Sequence, residues 1–133
     1  MTAMKSTVVT GSEEFRRNRA DYLARIADLH RRRTEANQGG SAKARELHKS
    51  RGQLLPRDRI AALIDPGSPF LEIGHLVGEG MYDGVPPGAT IITGVGQVCG
   101  RSCMLIVNDA TVKGGTMFGI TTKKHTRAQL FAW

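Results

Sequence analysis

Lys113, Gly114 and Gly115 follow an apolar run, and Lys123 and Lys124 follow them within one short segment. Residues of these types, so spaced, could bind an anion. A glycine pair after a buried strand can leave backbone N–H groups free for an oxyanion or a phosphate, and the lysines can neutralise its charge. A ligand carrying both a carbonyl and phosphates would suit the set. Taken alone, Gly114-Gly115 is equally a plain turn and the two lysines equally solvated surface side chains. On a helix, consecutive lysines cannot share a face, so at most one of Lys123 and Lys124 is expected to point at a shared ligand. His75 and His125 have no identifiable carboxylate or serine partner, and no nucleophile is specified. Asn108 and Asp109 read as turn-formers that bond nearby backbone. Cys99 and Cys103 lack the further Cys or His at ligand spacing that a zinc site needs, so no metal is expected and both read as reduced, partly buried thiols.

The elements that must carry these residues read from periodicity. Residues 1–11 show none and are expected to be disordered. Ser12 reads as an N-cap ahead of Glu13 and Glu14, and Phe15, Tyr22, Leu23, Ile26 and Leu29 recur at helical spacing to about Ala36. Ser41 is expected to cap a second basic helix to about Lys49, and Pro56 to open a third as an N1 proline through Ile60 and Leu63. After the Asp65 to Pro69 stop come a strand over residues 70–77 and a glycine-rich surface loop over residues 78–88. Two strand-like runs then flank Gly100-Arg101, which reads as a type II′ hairpin turn. The second of them, residues 103–107, is apolar on both faces and is expected to be central in its sheet. Thr116 or Thr121 is expected to cap the lysine-bearing helix.

Charge divides the 133 residues in two. The formal net charge is +7, and residues 1–64 carry 14 Lys/Arg against 7 Asp/Glu while residues 65–133 carry 5 of each. Twelve of the sixteen glycines fall in the neutral half, which suits tight turns and close backbone approach. The arginines suggest a nucleic-acid module as one reading, but no aromatic platform or recognised motif accompanies them, so no nucleic-acid partner is expected. No apolar stretch approaches the ~20 residues of a membrane span, and the N-terminus has no secretory h-region, so the expectation is a cytoplasmic protein with no membrane partner.

Five ordered blocks carry a resemblance. They are Leu55-Pro56-Arg57-Asp58-Arg59-Ile60, Leu63 through Glu72 with its Asp65-Pro66-Gly67-Ser68-Pro69 core, Ile91 through Gly96, Asn108 through Thr116, and Lys123-Lys124-His125 with Arg127-Ala128-Gln129. Together they resemble the carboxyltransferase (beta) subunit of biotin-dependent acyl-CoA carboxylases, nearest to methylcrotonyl-CoA carboxylase. The resemblance implies an α/β, crotonase-like (ClpP/crotonase) spiral of ββα units. Residues 1–50 would form a basic helical segment, and residues 51–133 an incomplete N-terminal carboxyltransferase domain. It further implies carboxyl transfer from carboxybiotin, through a thioester enolate, to an acyl-CoA. The biotin would be carried by a partner alpha subunit, and the beta subunits would form a homo-oligomer. Lys113, Gly114, Gly115, Lys123 and Lys124 become the CoA-binding residues that the resemblance implies. No catalytic residue is expected, because the family's Ser-Gly-Gly oxyanion segment lies downstream of the lysine helix, beyond Trp133. The chain is therefore expected to be inactive by itself, with a non-catalytic assembly piece of a carboxylase complex as the alternative. Gly119 stands where relatives usually carry Pro, and Thr126 where they usually carry Leu.

Overall fold

A computed structural model describes residues 6–132; the first five residues of the expected disordered stretch, and Trp133, lie outside them. The chain clusters into two units, residues 1–32 and 33–133. Helix α1 runs Glu13–Gln38, and the Ser12 hydroxyl accepts the Phe15 N–H at 3.1 Å, as its cap role requires.

In the second unit, α2 is Ala42–Ser50, and its Ser41 cap hydroxyl accepts the Ala44 N–H. Helix α3, Pro56–Leu63, starts on its proline, whose missing N–H costs nothing in a first turn. Three antiparallel strands follow in the order β1 (Leu71–Ile73), β2 (Ile91–Val98), β3 (Arg101–Asn108). Helix α4 is Gly119–Phe131.

Alternation along β2 sorts the layers. One face carries Ile92 with Gly94 and Gly96, whose absent side chains admit the Phe70 ring and Ile64. There Ile60 of α3, Ile92 and Leu105 form the buried centre, with Ile64, Phe70, Val98, Cys103 and Val107 packed on it. The opposite face presents Ile91 and Thr93, both nearly inaccessible, on the side where α4 buries Thr121, Lys124 and Ala128. The central strand is thus β2, which is also more deeply buried than β3. The expectation that residues 103–107 are central is corrected: β3 pairs with β2 alone among the described residues.

Two other local expectations change. The strand over 70–77 shrinks to three residues, because Gly74 turns left-handed at φ 66° and its carbonyl accepts the Val77 N–H. The hairpin turn is Cys99-Gly100, not Gly100-Arg101, since Val98 pairs with Arg101. Both turn residues have positive φ, 51° and 73°, the type I′ geometry that matches strand twist. Asp65 accounts for the shift: its carboxylate accepts the Cys99 and Gly100 N–H groups at 2.7 Å each. Cys99 is accordingly exposed, while Cys103 is half-buried, and both are free thiols.

Candidate binding site

The loop after β3 is built by hydrogen bonds. Asp109 donates its N–H to Thr90 O at 2.8 Å, and its carboxylate accepts the Thr111 N–H at 2.9 Å and the Thr111 hydroxyl at 2.5 Å. That is the turn-forming role expected of it. Thr111 Oγ1 in turn accepts the Gly40 N–H at 3.0 Å. Gly40 lies so near the Thr111 carbonyl that a Cβ there would overlap it. The Gly39-Gly40 corner and the β3 exit are therefore locked together.

Beyond the lock the chain makes one 3-10 turn, Lys113–Gly115, with Lys113 at φ 47° and Gly114 at φ 67°, ψ 15°. A left-handed lysine is uncommon and is held by its surroundings. The Gly115 N–H donates to Val112 O at 2.8 Å, and Lys113 O accepts the Thr116 N–H and hydroxyl. One amide of the glycine pair is thus spent inside the turn, so the loop does not present the two adjacent free donors that an oxyanion needs. The space over Gly114 is open.

Lys113 is exposed and stands where two clefts meet. One, of about 950 Å³, is lined by Gly40, His48, Arg51, Pro86, Lys113 and Gly114 among others. The other, of about 580 Å³, is lined by Met81, Tyr82, Asp83, Val85, Lys113, Thr116 and Phe118. In it Tyr82 and Phe118 stack at 4.7 Å between ring centroids. The Lys113 ammonium passes beside Gly84, where an added Cβ would sit 3.5 Å from Nζ. The arrangement offers a flat apolar surface beside a cation, suited to a ring-bearing anion.

The paired lysines separate as helical geometry demands. Lys123 is exposed, whereas Lys124 points inward and its ammonium donates to Gly88 O at 3.0 Å and Ile91 O at 2.7 Å. Burial pushes Lys124 down to about 8. Its ammonium is occupied by the fold, away from the Lys113 clefts. The cap of α4 is Phe118, whose N–H donates to Thr121 Oγ1 at 3.1 Å from the third helical position. Thr121, fully buried, also donates to Ala89 O; Thr116 bonds Lys113 O, closing the 3-10 turn, and does not cap α4.

Sequence reading missed a polar cluster. Arg57 grips Glu72 through two bonds of 2.8 and 3.1 Å, and His75 Nδ1 lies 3.4 Å from Glu72 Oε2. The expectation that His75 lacks a carboxylate neighbour is corrected. Burial pushes the His75 imidazole below its ordinary 6.5, Glu72 opposes this, and Arg57, Arg33 and Lys124 reinforce it. The cluster borders a cavity of about 210 Å³ that Asp109 and Thr111 also line. The Asp-x-x-His-like spacing of Glu72 and His75 was visible in the sequence, but the Arg57 contact crosses fifteen positions. Among the described residues, no three His, Cys, Asp or Glu side chains converge as a metal site, and no helix is long and apolar enough to cross a membrane.

A three-stranded sheet closed by helices on both faces, with a glycine-bearing loop leaving its edge strand, is part of a carboxyltransferase fold, and comparison assigns the family. Residues 47–133 match the Carboxyl transferase domain, and the chain belongs to that family. It is 55% identical over 104 residues to the biotin-dependent 3-methylcrotonyl-coenzyme A carboxylase beta1 subunit of Mycobacterium tuberculosis, covering 78% of this chain and 20% of that protein. The beta subunit of Pseudomonas aeruginosa geranyl-CoA carboxylase superposes with a TM-score of 0.85 at 36% identity, over 98% of this chain and 24% of that one. Transcarboxylase 12S, solved as a hexamer with methylmalonyl-coenzyme A bound, superposes at 0.71 with 28% identity, over 80% of this chain and 22% of that one. The chain thus spans about a fifth to a quarter of the relatives it matches.

Proposed function

We propose that this chain is the N-terminal portion of an acyl-CoA carboxyltransferase of the methylcrotonyl-CoA carboxylase type, and that its own contribution is to hold CoA. Residues 1–50 serve as a basic helical segment and residues 51–133 as the first part of the catalytic domain. The reading rests on one observation: Lys113, held left-handed beside Gly114, is shared by the two clefts at the exit of β3. Its ammonium would meet the phosphates of CoA, with the Tyr82–Phe118 pair offering a surface for the adenine ring. Gly114 keeps the approach open, and Gly115 acts by closing the turn. Lys123, exposed on α4, would add longer-range attraction, while Lys124 acts by anchoring that helix.

Biotin, carried by a partner alpha subunit, supplies the carboxyl group. The paired amide donors that a thioester oxygen or a ureido oxygen would need are not formed by the Lys113–Gly115 turn, so no chemical step is assigned to this chain, and it is inactive by itself. The names of its relatives support assembly with further beta subunits and a biotin carrier. The setting is read as cytoplasmic, and two free thiols fit such a reducing compartment without singling it out.

Calorimetry with CoA, dephospho-CoA and pantetheine tests the reading. CoA is expected to bind, pantetheine to bind far more weakly, and Lys113→Ala to cost roughly tenfold in CoA affinity, about 1.4 kcal/mol. Equal affinity for CoA and pantetheine, or an unaltered Lys113→Ala protein, sinks the site. Carboxylated product formed by the 133 residues alone would overturn the assignment of no chemistry.

A further inference from the structure

The cluster of Arg57, Glu72 and His75 takes no part in holding CoA, and its hydrogen bonds leave one group unsatisfied. Arg57, in the first turn of α3, donates from Nη1 to Glu72 Oε2 at 2.8 Å and from Nη2 to Glu72 Oε1 at 3.1 Å. The same Nη2 lies 3.4 Å from His75 Nε2. A guanidinium only donates, so Nε2 accepts and the neutral ring carries its hydrogen on Nδ1. That Nδ1 is buried and has no hydrogen-bond partner among the described residues, although Glu72 Oε2 stands 3.4 Å away. Glu72 thus lies within reach of both side chains, and Arg57 holds it.

One proton reverses that choice. Taken up by the Nε2 lone pair, it turns an acceptor into a donor, and Arg57 Nη2 then meets an N–H. The ring gains a full positive charge beside the carboxylate, and a hydrogen bond between two charged groups is much stronger than one between neutral groups.

The surroundings decide which cation gives way. The charged groups acting on the ring are Glu72 of β1, Arg57 of α3, Arg33 near the end of α1, and Lys124 of α4. Around the same cavity, the Asp109 carboxylate is engaged by Thr111, Arg45 by the carbonyls of Gln38 and Gly40, and Asp58 is exposed. Protonation therefore sets the imidazolium, Arg57, Arg33 and Lys124 against the Glu72 carboxylate. Lys124 is fastened to Gly88 O and Ile91 O, and Arg33 is exposed already. The His75 and Glu72 side chains are 12 and 10% exposed, whereas that of Arg57 is 33% exposed. Arg57 reaches water with the least rearrangement.

Its departure has a local consequence. Ile60 anchors α3 in the core further along the helix, so only the first turn depends on the Arg57 clamp. Leu55, Pro56, Arg57 and Asp58 line the cavity of about 210 Å³ together with Glu72 and His75. A released first turn opens that side of it.

We propose that this cluster is a proton-driven latch: with His75 neutral, Arg57 clamps Glu72 and holds the first turn of α3 against the cavity, and with His75 protonated, the imidazolium takes Glu72 through Nδ1 and the turn is released. The latch shares no residue with the Lys113 clefts, and its failure would leave the CoA reading untouched.

NMR on the whole chain from pH 8 to pH 5 tests it. At the upper end the imidazole nitrogen shifts should show the Nδ1–H tautomer. As His75 takes up its proton, the Arg59 amide, which donates to Leu55 O at 2.9 Å, should lose roughly tenfold in exchange protection while amides 92–98 keep theirs. The midpoint should be that of the imidazole, below its ordinary 6.5. His75→Gln, which cannot be protonated there, should hold the Arg59 protection constant, and Arg57→Gln should show the lowered protection at every pH. The proposal is overturned if the neutral ring is the Nε2–H tautomer, or if Arg59 protection stays constant while His75 titrates. It is equally overturned if Arg59 and amides 92–98 lose protection together, which is global unfolding, or if His75→Gln responds to pH as the parent does.

Discussion

The Lys124 ammonium donates at 2.7 Å to the carbonyl of Ile91, the first residue of β2, and at 3.0 Å to that of Gly88. A side chain that sequence places beside Lys123 as an anion-binding candidate is instead the pin between α4 and the start of the central strand. The Lys124 stem also runs beside the loop after β1, where a Cβ added at Gly74 would lie 3.4 Å from Lys124 Cε.

Replacing this pin by Lys124→Met should destabilise the fold by about 1–3 kcal/mol, because the stem still packs but one buried and one half-buried carbonyl lose a donor. Burial holds Lys124 at about 8 against an ordinary 10.5, so the folded state disfavours the charged form. The unfolded chain then binds more protons between those values, and stability should rise as pH climbs from about 8 toward 10.5. A neutral amine retains two hydrogens, enough for both carbonyls. Urea titrations across that window should show the rise in the parent and a flatter profile in Lys124→Met.

Glu72 is the carboxylate that pulls both His75 and Lys124 upward. Glu72→Gln should therefore lower the His75 titration further, a shift readable by NMR of the imidazole protons. It should also cost about 1–3 kcal/mol, since the Arg57 guanidinium loses its bidentate partner in a half-buried site. For the parent, the depressed His75 value means that the unfolded chain takes up its proton first, so stability should decline as pH falls through 6.5. An unchanged His75 shift in Glu72→Gln would refute the coupling.

Two glycines of the hairpin should respond differently to alanine. At Gly94 a Cβ would lie 2.5 Å from both Leu71 O and the Phe70 ring, so Gly94→Ala must part β1 from β2 and should cost several kcal/mol, about 3 or more. Gly100 meets nothing within 4 Å but sits at φ 73°, so Gly100→Ala should cost only about 1 kcal/mol, through backbone strain. Equal melting shifts for the two variants would contradict this packing.

Gly119→Pro should stabilise the chain by about 0.5–1 kcal/mol. Gly119 is the first residue of α4, where proline is favoured, and Phe118 before it is extended at φ −89°, ψ 165°, as a residue preceding proline prefers. The added ring enters a space whose nearest neighbour, Tyr82 Oη, lies 3.9 Å from the Cβ position. A higher melting temperature is the expected readout, and a lower one would mean that the first turn of α4 is set differently.

Helix positions, the N1 proline, the Ser12 and Ser41 caps, the Asp109 turn and the family blocks were all legible in residue order, because each depends on neighbours within about one turn of chain. Tertiary contacts decided the rest. Whether β2 or β3 is the central strand depends on which of them β1 pairs with, and a run of apolar residues does not encode its neighbours. The hairpin turn moved by one residue because Asp65, remote in sequence, captures two amides there. Lys123 and Lys124 look alike in the chain, yet one meets solvent and the other the carbonyls of Gly88 and Ile91. The hundred-degree step between adjacent helical residues was readable from sequence, but which of the two sides would be dry was settled only when β2 packed beneath α4.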